Sequence, residues 1–187
     1  MGLTSIITIC VVVVLLLVLI ALSYVKTSPN QALVISGWPK KKPKFLIGTG
    51  GLRIPGLQKI DKLYLGQLSV DIKTDTSVPT SDFINVDVDA VAKVRIDPNH
   101  IDIAAANFLG KSREDIAREI RDSLQGNMRE IIGTQDLRSL NNDRDGFSNQ
   151  IQEKAAPDMA KLGIEILSCN IQSITDKEGL IHALGAD

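Results

Sequence analysis

Hydrophobic and polar positions follow three successive patterns along the chain, and the first is a continuous apolar run. Between residues 6 and 25, eighteen of twenty residues are apolar, with Thr8 and Ser23 as the exceptions. As a helix, residues 3–25 would be about 34 Å long, compared with about 30 Å for a bilayer core. The pattern predicts a membrane anchor over residues 1–25, in the form of a transmembrane or membrane-embedded helix.

A cleaved signal peptide is the alternative interpretation of this run, and it stays open. Residues 1–5 contain no Lys or Arg, the run is longer than a usual signal-peptide core, and only Ala21-Leu22-Ser23 weakly resembles a cleavage site. These features favour a retained anchor. Positive charge follows the run at Lys26, so the positive-inside rule predicts that the rest of the chain faces the cytoplasm.

The second pattern, over residues 26–96, predicts a β-rich membrane-proximal part. Gln31–Gly37, residues 45–47 and residues 63–72 are predicted as strands, and residues 83–96 form the clearest one. One face of that strand is apolar and the other is polar or charged, as expected for an antiparallel sheet with one solvated face. The apolar face consists of Val86, Val88, Ala90, Ala92, Val94 and Ile96.

The third pattern, over residues 97–187, predicts a helical part with a closing strand. Helices are predicted over residues 98–109 behind the cap Asp97, over residues 113–132 behind the cap Ser112, and over residues 143–162. Gly163 is expected to end the last helix, and Gly126 is expected to mark close packing of the second. A strand over residues 164–174 should contain a bulge, because its apolar phase shifts between Ile166 and Leu167.

Charge is segregated in the same three blocks. Residues 1–25 carry no charged side chain, residues 26–73 carry nine basic and two acidic ones (net +7), and residues 74–187 carry twelve basic and twenty acidic ones (net −8). A simple soluble globule would not be organised in this way. The acidic bulk also argues against a dedicated nucleic-acid binder.

A tryptophan and four lysines follow the first predicted strand. They permit two interpretations: a solvated loop, or contact with anionic lipid headgroups, where each Lys is worth about 1 kcal/mol. The anchor ends about fifteen residues earlier, and Trp is typical of the membrane interface. The candidate membrane-contact residues are Trp38, Lys40, Lys41, Lys42 and Lys44.

No pattern in the sequence nominates a catalytic, cofactor or metal site. Residues 141–146 resemble the start of a calcium loop, but Gln152 occupies the position that requires Glu. His100 has no nearby Cys or His partner. Cys10 and Cys169 are not expected to form a disulfide, and Cys10 is either an acylation site or a small apolar residue. We therefore expect a protein that is not an enzyme and uses no cofactor.

The chain resembles the SPFH or band-7 superfamily, most closely the bacterial type of its flotillin branch. The resemblance covers residues 31–185 and rests on an ordered set of segments. These are 71–75 (DIKTD), 104–112 (AAANFLGKS), 124–133 (LQGNMREIIG), 144–147 (RDGF), 162–166 (LGIEI) and 174–176 (ITD).

This resemblance implies an α/β (α+β) SPFH domain on the cytoplasmic side of the cell membrane. It also implies a scaffold that organises membrane microdomains through homo-oligomerisation, with a small NfeD-like membrane protein as a companion. The charge balance given above adds the expectation of no nucleic-acid partner. The alternative function, drawn from other SPFH branches, is a non-catalytic regulatory subunit of a membrane-bound protease or channel.

The resemblance also implies a long C-terminal coiled coil, which is not present here. No sustained heptads occur before Asp187. The chain is expected to be either a natural short form or a truncated copy, and its oligomerisation therefore needs a direct test.

Overall fold

The chain forms two compact units, Met1–Leu65 and Gly66–Asp187. The computed structural model describes residues 2–38 and 42–176, with side chains for all of these except residues 3–6. Both units mix antiparallel strands with helices, which confirms the predicted α/β class. The strand that was predicted to end the β-rich part at residue 96 lies in the second unit, where it pairs with the closing strand.

The first unit begins with helix α1, Leu3–Ser23, followed directly by strand β1, Tyr24–Lys26. Strand β1 pairs with β4, Gly50–Leu52. A three-stranded antiparallel sheet follows, in which β2 lies between β3 and β5. These strands are β2, Gln31–Gly37; β3, Lys44–Ile47; and β5, Gln58–Tyr64.

The predicted transmembrane span has no support in the structure. Among the residues whose side chains are described, which in α1 are residues 7–23, no helix is long and apolar enough to cross a membrane.

The sheet of the first unit packs a small apolar core. Leu33, Ile35 and Leu46 form a buried cluster against which Val25 and Ile60 pack. The prediction of one strand over residues 63–72 was wrong, because the chain leaves β5 at Tyr64 and starts the next strand at Leu68. The apolar alternation runs through the connection between Tyr64 and Leu68, although the strands on its two sides belong to different sheets.

The sheet of the second unit is centred on the long strand β8, Asn85–Ile96. Strands β6, Leu68–Lys73, and β7, Val78–Pro79, pair with one edge of β8, and β9, Ile164–Asp176, pairs with the other. The predicted apolar face of β8 is confirmed: its six residues are at most 2% exposed. Alternation was reliable here because one face of the sheet is covered and the other is not.

The predicted bulge in β9 is also confirmed. Lys93 pairs with Ser168 and Val94 pairs with Ile166, so Leu167 is the extra residue. A second register shift, near Gln172, was not predicted.

Four helices and a 3₁₀ turn lie between β8 and β9 in the second unit. The predicted first helix is a 3₁₀ turn, Pro98–His100, continued by α2, Ile101–Phe108. The other predicted helices are confirmed as α3, Arg113–Ile132, and α5, Arg144–Lys161, while the short α4, Leu137–Asn142, was missed. Their caps are as predicted: the side chains of Asp97 and Ser112 accept backbone N–H bonds.

Two glycines of the helical part behave differently. Gly163 follows α5 with a φ of 72°, and a Cβ there would lie 2.6 Å from the backbone nitrogen of Ala104. The prediction of close packing at Gly126 was wrong, because a Cβ there would meet nothing within 4 Å.

Phe83 is a conformational exception in the turn before β8. Its φ is 63°, a region that costs a residue with a Cβ about 1–2 kcal/mol. Its side chain is 89% exposed. The predicted extension of the strand to residue 83 was therefore wrong.

Candidate membrane-contact site

Helix α1 presents an apolar surface on all of its sides. From residue 7 to residue 22, its large hydrophobic side chains are each between 44% and 61% exposed. A helix of a water-soluble protein usually has one apolar stripe and one polar face, whereas α1 has no polar face in its described part. In its described part, α1 therefore leaves its large apolar side chains uncovered on every side.

The end of α1 is joined to the two-stranded sheet of β1 and β4. The backbone N–H of Arg53 donates to the carbonyl oxygen of Ser23 over 2.9 Å, and Tyr24 pairs with Leu52. The hydroxyl of Ser23 donates back to the carbonyl of Leu19 over 2.7 Å. The segment after β4 therefore lies beside the exit of the helix.

That segment contains an exposed apolar turn that the sequence analysis missed. The N–H of Leu57 donates to the carbonyl of Ile54 over 3.3 Å, and Gly56 has a φ of 81°. These features, with Pro55 as the second residue, describe a type II turn. The Ile-Pro-Gly-Leu sequence is a signal that could have predicted it.

The apolar turn presents its large side chains to solvent. Leu52 is 64% exposed, Ile54 is 41% exposed and Leu57 is 52% exposed. The amide oxygen of Gln58 accepts the N–H of Ile54 over 2.9 Å, so the turn is held in place by its own hydrogen bonds. Exposed hydrophobic residues grouped in this way are typical of an interaction surface.

The predicted tryptophan and lysine loop starts next to this turn. Gly37 pairs with Gln58, and a Cβ on Gly37 would lie 2.5 Å from the carbonyl oxygen of Leu57. Trp38 follows at 70% exposure. We call the group formed by Tyr24, Trp38, Lys42, Lys44, Leu52, Ile54 and Leu57 the basic–apolar surface.

The lysines of this surface are described only in part. Lys42 and Lys44 are exposed, whereas Lys40 and Lys41 lie outside the described residues. Contact of these four lysines and Trp38 with lipid stays a prediction.

The second unit contains a separate groove between α5 and the start of β9, with a volume of about 340 Å³. Small residues of α5, Ala156 and Ala160, form part of its wall, together with Ile103 and Ile166. Asp97 and His100 line its edge, and Nδ1 of His100 lies 2.7 Å from Oδ2 of Asp97.

The carboxylate of Asp97 raises the pKa of His100 above 6.5, by its hydrogen bond first and its charge second. In return, the hydrogen bond from His100, assisted by the N–H of Asn99, lowers the pKa of Asp97 below 3.8. The pair's contribution to stability is therefore lost as pH rises through the raised pKa of His100. It is also lost as pH falls through the lowered pKa of Asp97.

We expect an NMR titration of His100 in the whole chain to give a midpoint above 6.5. Replacing Asp97→Asn should move that midpoint downward, because it removes the hydrogen bond and the charge together. Glu114→Gln, at the start of α3, should leave it unchanged. A midpoint that is the same in the unaltered chain and in the Asp97→Asn variant would contradict the pairing.

Two of the remaining candidate positions, Asp143 and Cys169, have structural roles. The carboxylate of Asp143, in the calcium-like segment, accepts the N–H of Gly146 over 2.9 Å and caps α5. Cys169 is buried opposite Ala92, and burial raises the pKa of its thiol to about 11, so it is a neutral thiol at physiological pH. Cys10 is exposed on α1. Within the described residues, no cluster of His, Cys, Asp or Glu could hold a metal ion.

Comparison with known proteins relates this chain to a family. Residues 25–187 match the model of the SPFH domain / Band 7 family. The chain is 31% identical to Flotillin-1 of Carassius auratus over 160 residues. This aligned region covers 84% of this chain and 38% of the relative. It is 32% identical to the flotillin-like protein FloT of Bacillus subtilis over an alignment of 201 residues. This alignment covers 99% of this chain and 39% of the relative. The chain thus spans less than two fifths of the length of these curated relatives.

Proposed function

Since this chain belongs to the SPFH domain / Band 7 family, we propose that it is a membrane-anchored, flotillin-like scaffold protein without catalytic activity. In this proposal α1 is embedded in the cell membrane and the rest of the chain faces the cytoplasm. Copies of the chain associate with one another and organise a membrane microdomain. The similarity to flotillins extends over most of the chain and supports the family-level part of the proposal.

The observation that carries the proposal is the continuity between α1 and the basic–apolar surface. The apolar helix ends at Ser23, and Arg53 is hydrogen-bonded to that residue. Leu52 and Ile54 flank Arg53, and both are exposed. A helix that enters lipid would hold these side chains at the level of the headgroups, where apolar residues next to cations are favoured.

Charge supports the same arrangement. The lysines of the basic–apolar surface would attract an anionic leaflet by about 1 kcal/mol each. Residues 74–187 carry a net charge of −8 and would be repelled by the same leaflet. The segregation of charge therefore favours a chain whose basic block lies against the membrane.

The native mass of the whole chain, extracted in mild detergent, tests the scaffold function. We expect a defined particle of many copies that contains no other protein. A particle that requires a membrane-bound protease or channel in fixed proportion would favour the regulatory-subunit alternative, whereas a small NfeD-like membrane protein beside many copies of the chain would be a companion of the scaffold. A monomer under all conditions would overturn the scaffold proposal.

A further inference from the structure

Arg53 carries a hydrogen-bond donor that the first unit leaves unsatisfied. Its side chain is partly buried, and its Nε atom is buried without a hydrogen-bond partner among the described residues. A buried N–H without an acceptor is costly, and the polar groups buried in native proteins are nearly always hydrogen-bonded. The guanidinium group of Arg53 therefore needs an acceptor that the first unit does not supply.

The first unit also contains almost no anion that could neutralise Arg53. Residues 1–65 carry seven lysines and one arginine, against a single acidic residue, Asp61. A carboxylate oxygen of Asp61 already lies 2.9 Å from Nζ of Lys59. The counter-ion of Arg53 has to come from outside residues 1–65.

Strand pairing fixes the position of Arg53 at the end of α1. Its backbone N–H donates to the carbonyl oxygen of Ser23, which is the last residue of the helix. The preceding residue, Leu52, pairs with Tyr24. Leu52 and Ile54, on the two sides of Arg53, are both exposed. With α1 in the bilayer, Arg53 would lie where apolar side chains give way to lipid headgroups.

The abundant anion at that depth is the phosphate group of phospholipids. A guanidinium group is planar and directs Nε–H and one Nη–H in parallel, so that it can bond two oxygens of one phosphate. The ammonium group of lysine is a point charge without this geometry. A phosphate would therefore satisfy Arg53 even in a zwitterionic lipid, where the leaflet has no net charge.

We propose that Arg53 binds the phosphate group of a phospholipid headgroup where α1 leaves the bilayer, through Nε–H and one Nη–H. This inference rests on the proposed membrane anchoring and adds the ligand: a glycerophospholipid selected by its phosphate rather than by net charge. Binding requires a rotation of the side chain that brings Nε out of its cover, and the unsatisfied N–H favours that rotation. The lysines respond to the net charge of the leaflet, whereas Arg53 responds to phosphate.

Solid-state NMR of the whole chain in phosphatidylcholine bilayers tests the contact directly. With arginine labelled by ¹³C at the guanidinium carbon, ¹³C–³¹P dipolar dephasing detects an arginine that is bonded to a lipid phosphate. We expect one of the eight arginines of the chain to be dephased, and Arg53→Lys to abolish this signal. Arg138→Lys, at an exposed position of the second unit, should leave the signal unchanged.

A swap of residue types distinguishes a specific site from general attraction of arginine to headgroups. In the Arg53→Lys chain, the further substitution Lys26→Arg restores one arginine to the same sheet at an exposed position of β1. The dephasing should not return, because an exposed side chain at position 26 is already satisfied by water. A returned signal would show that any arginine of the basic block contacts phosphate, and would overturn the inference.

A lipid titration in phosphate-free detergent measures the strength of binding and identifies the source of the phosphate. By native mass spectrometry, Arg53→Lys should bind phosphatidylcholine at least tenfold more weakly than the unaltered chain. Digalactosyldiacylglycerol, which has no phosphate, should bind both chains equally. An excess of inorganic phosphate should not displace phosphatidylcholine; displacement would indicate a site for free anions and reject the headgroup site.

The same detergent solution tests whether Arg53 serves only the fold. The unaltered chain and the Arg53→Lys chain should melt at the same temperature, because lysine keeps the charge and the aliphatic part of the side chain. A clear decrease in the melting temperature of Arg53→Lys would show that Arg53 has an internal partner, and would reject the inference.

Failure of this inference is separable from failure of the proposed function. A chain that floats with vesicles but shows no dephasing, or keeps its signal after Arg53→Lys, rejects the Arg53 contact and leaves the membrane scaffold in place. A chain that does not float with vesicles rejects the membrane anchoring and this inference together.

Discussion

Replacing Gly163→Ala should lower the free energy of unfolding by about 3 kcal/mol, because two effects add at this position. The backbone at Gly163 has a φ of 72°, which disfavours any residue with a Cβ. The added methyl group would also lie 2.6 Å from the backbone nitrogen of Ala104 and 2.9 Å from the carbonyl oxygen of His100. Neither backbone atom can move without displacing the start of α2. Thermal unfolding should show a decrease in Tm of about 10 °C.

Gly126→Ala is the matched control for that change. It adds the same methyl group inside α3, where nothing lies within 4 Å, and should raise the free energy of unfolding by about 1 kcal/mol through helix propensity. The two substitutions should therefore shift Tm in opposite directions. A Gly163→Ala chain that is as stable as the Gly126→Ala chain would contradict the close approach between Gly163 and α2.

Replacing Leu52, Ile54 and Leu57 together with Asp should detach the basic–apolar surface from lipid. The three side chains are between 41% and 64% exposed, so the transfer of each into lipid is worth about 1 kcal/mol. The three losses together should lower the equilibrium constant for contact between the basic–apolar surface and lipid about 100-fold. The effect should exceed that of any lysine change, because aspartate is also repelled by an anionic leaflet.

Trp38 provides the measurement, since it is the single tryptophan of the chain. In vesicles that contain brominated lipids, fluorescence from Trp38 of the unaltered chain should be quenched, and the triple Asp variant should lose most of this quenching. A variant with Leu109→Asp and Leu167→Asp, at exposed positions of the second unit, serves as the control and should remain quenched. Equal quenching in all three chains would reject the contact of this surface with lipid.

Substitution of Lys40, Lys41, Lys42 and Lys44 with Gln separates the two interpretations of the lysine loop. If the lysines bind headgroups, quenching should fall in anionic vesicles and stay the same in neutral ones. If the loop is only solvated, the substitutions should leave the quenching of Trp38 unchanged in both kinds of vesicle.

Much of the second unit was predictable from the order of its residues. The buried face of β8, the stripe of α3 from Ile116 to Ile132 and the cap at Ser112 all follow from local periodicity and local hydrogen bonding. The bulge at Leu167 was visible for the same reason, because one extra residue shifts a period of two. These features depend on which side of an element is covered, and the apolar pattern records that directly.

The candidate site was less predictable, because it is assembled from segments that are distant in the sequence. Trp38 and the lysines were recognised as a cluster of adjacent residues. Leu52 and Leu57 joined them only through the pairing of Tyr24 with Leu52 and of Gly37 with Gln58. Strand register is a long-range property, and nothing in the pattern of either strand specifies its partner.

Composition and periodicity alone were enough to establish the apolar start of the chain, its charge blocks, its mixed α/β class and most of its helices, because each depends on residues a few positions apart. The break between β5 and β6, the open space at Gly126 and the left-handed backbone at Phe83 required the tertiary structure. In each case the local pattern permits more than one outcome, and the choice is made by what lies across the sheet, beside the helix or beneath the turn.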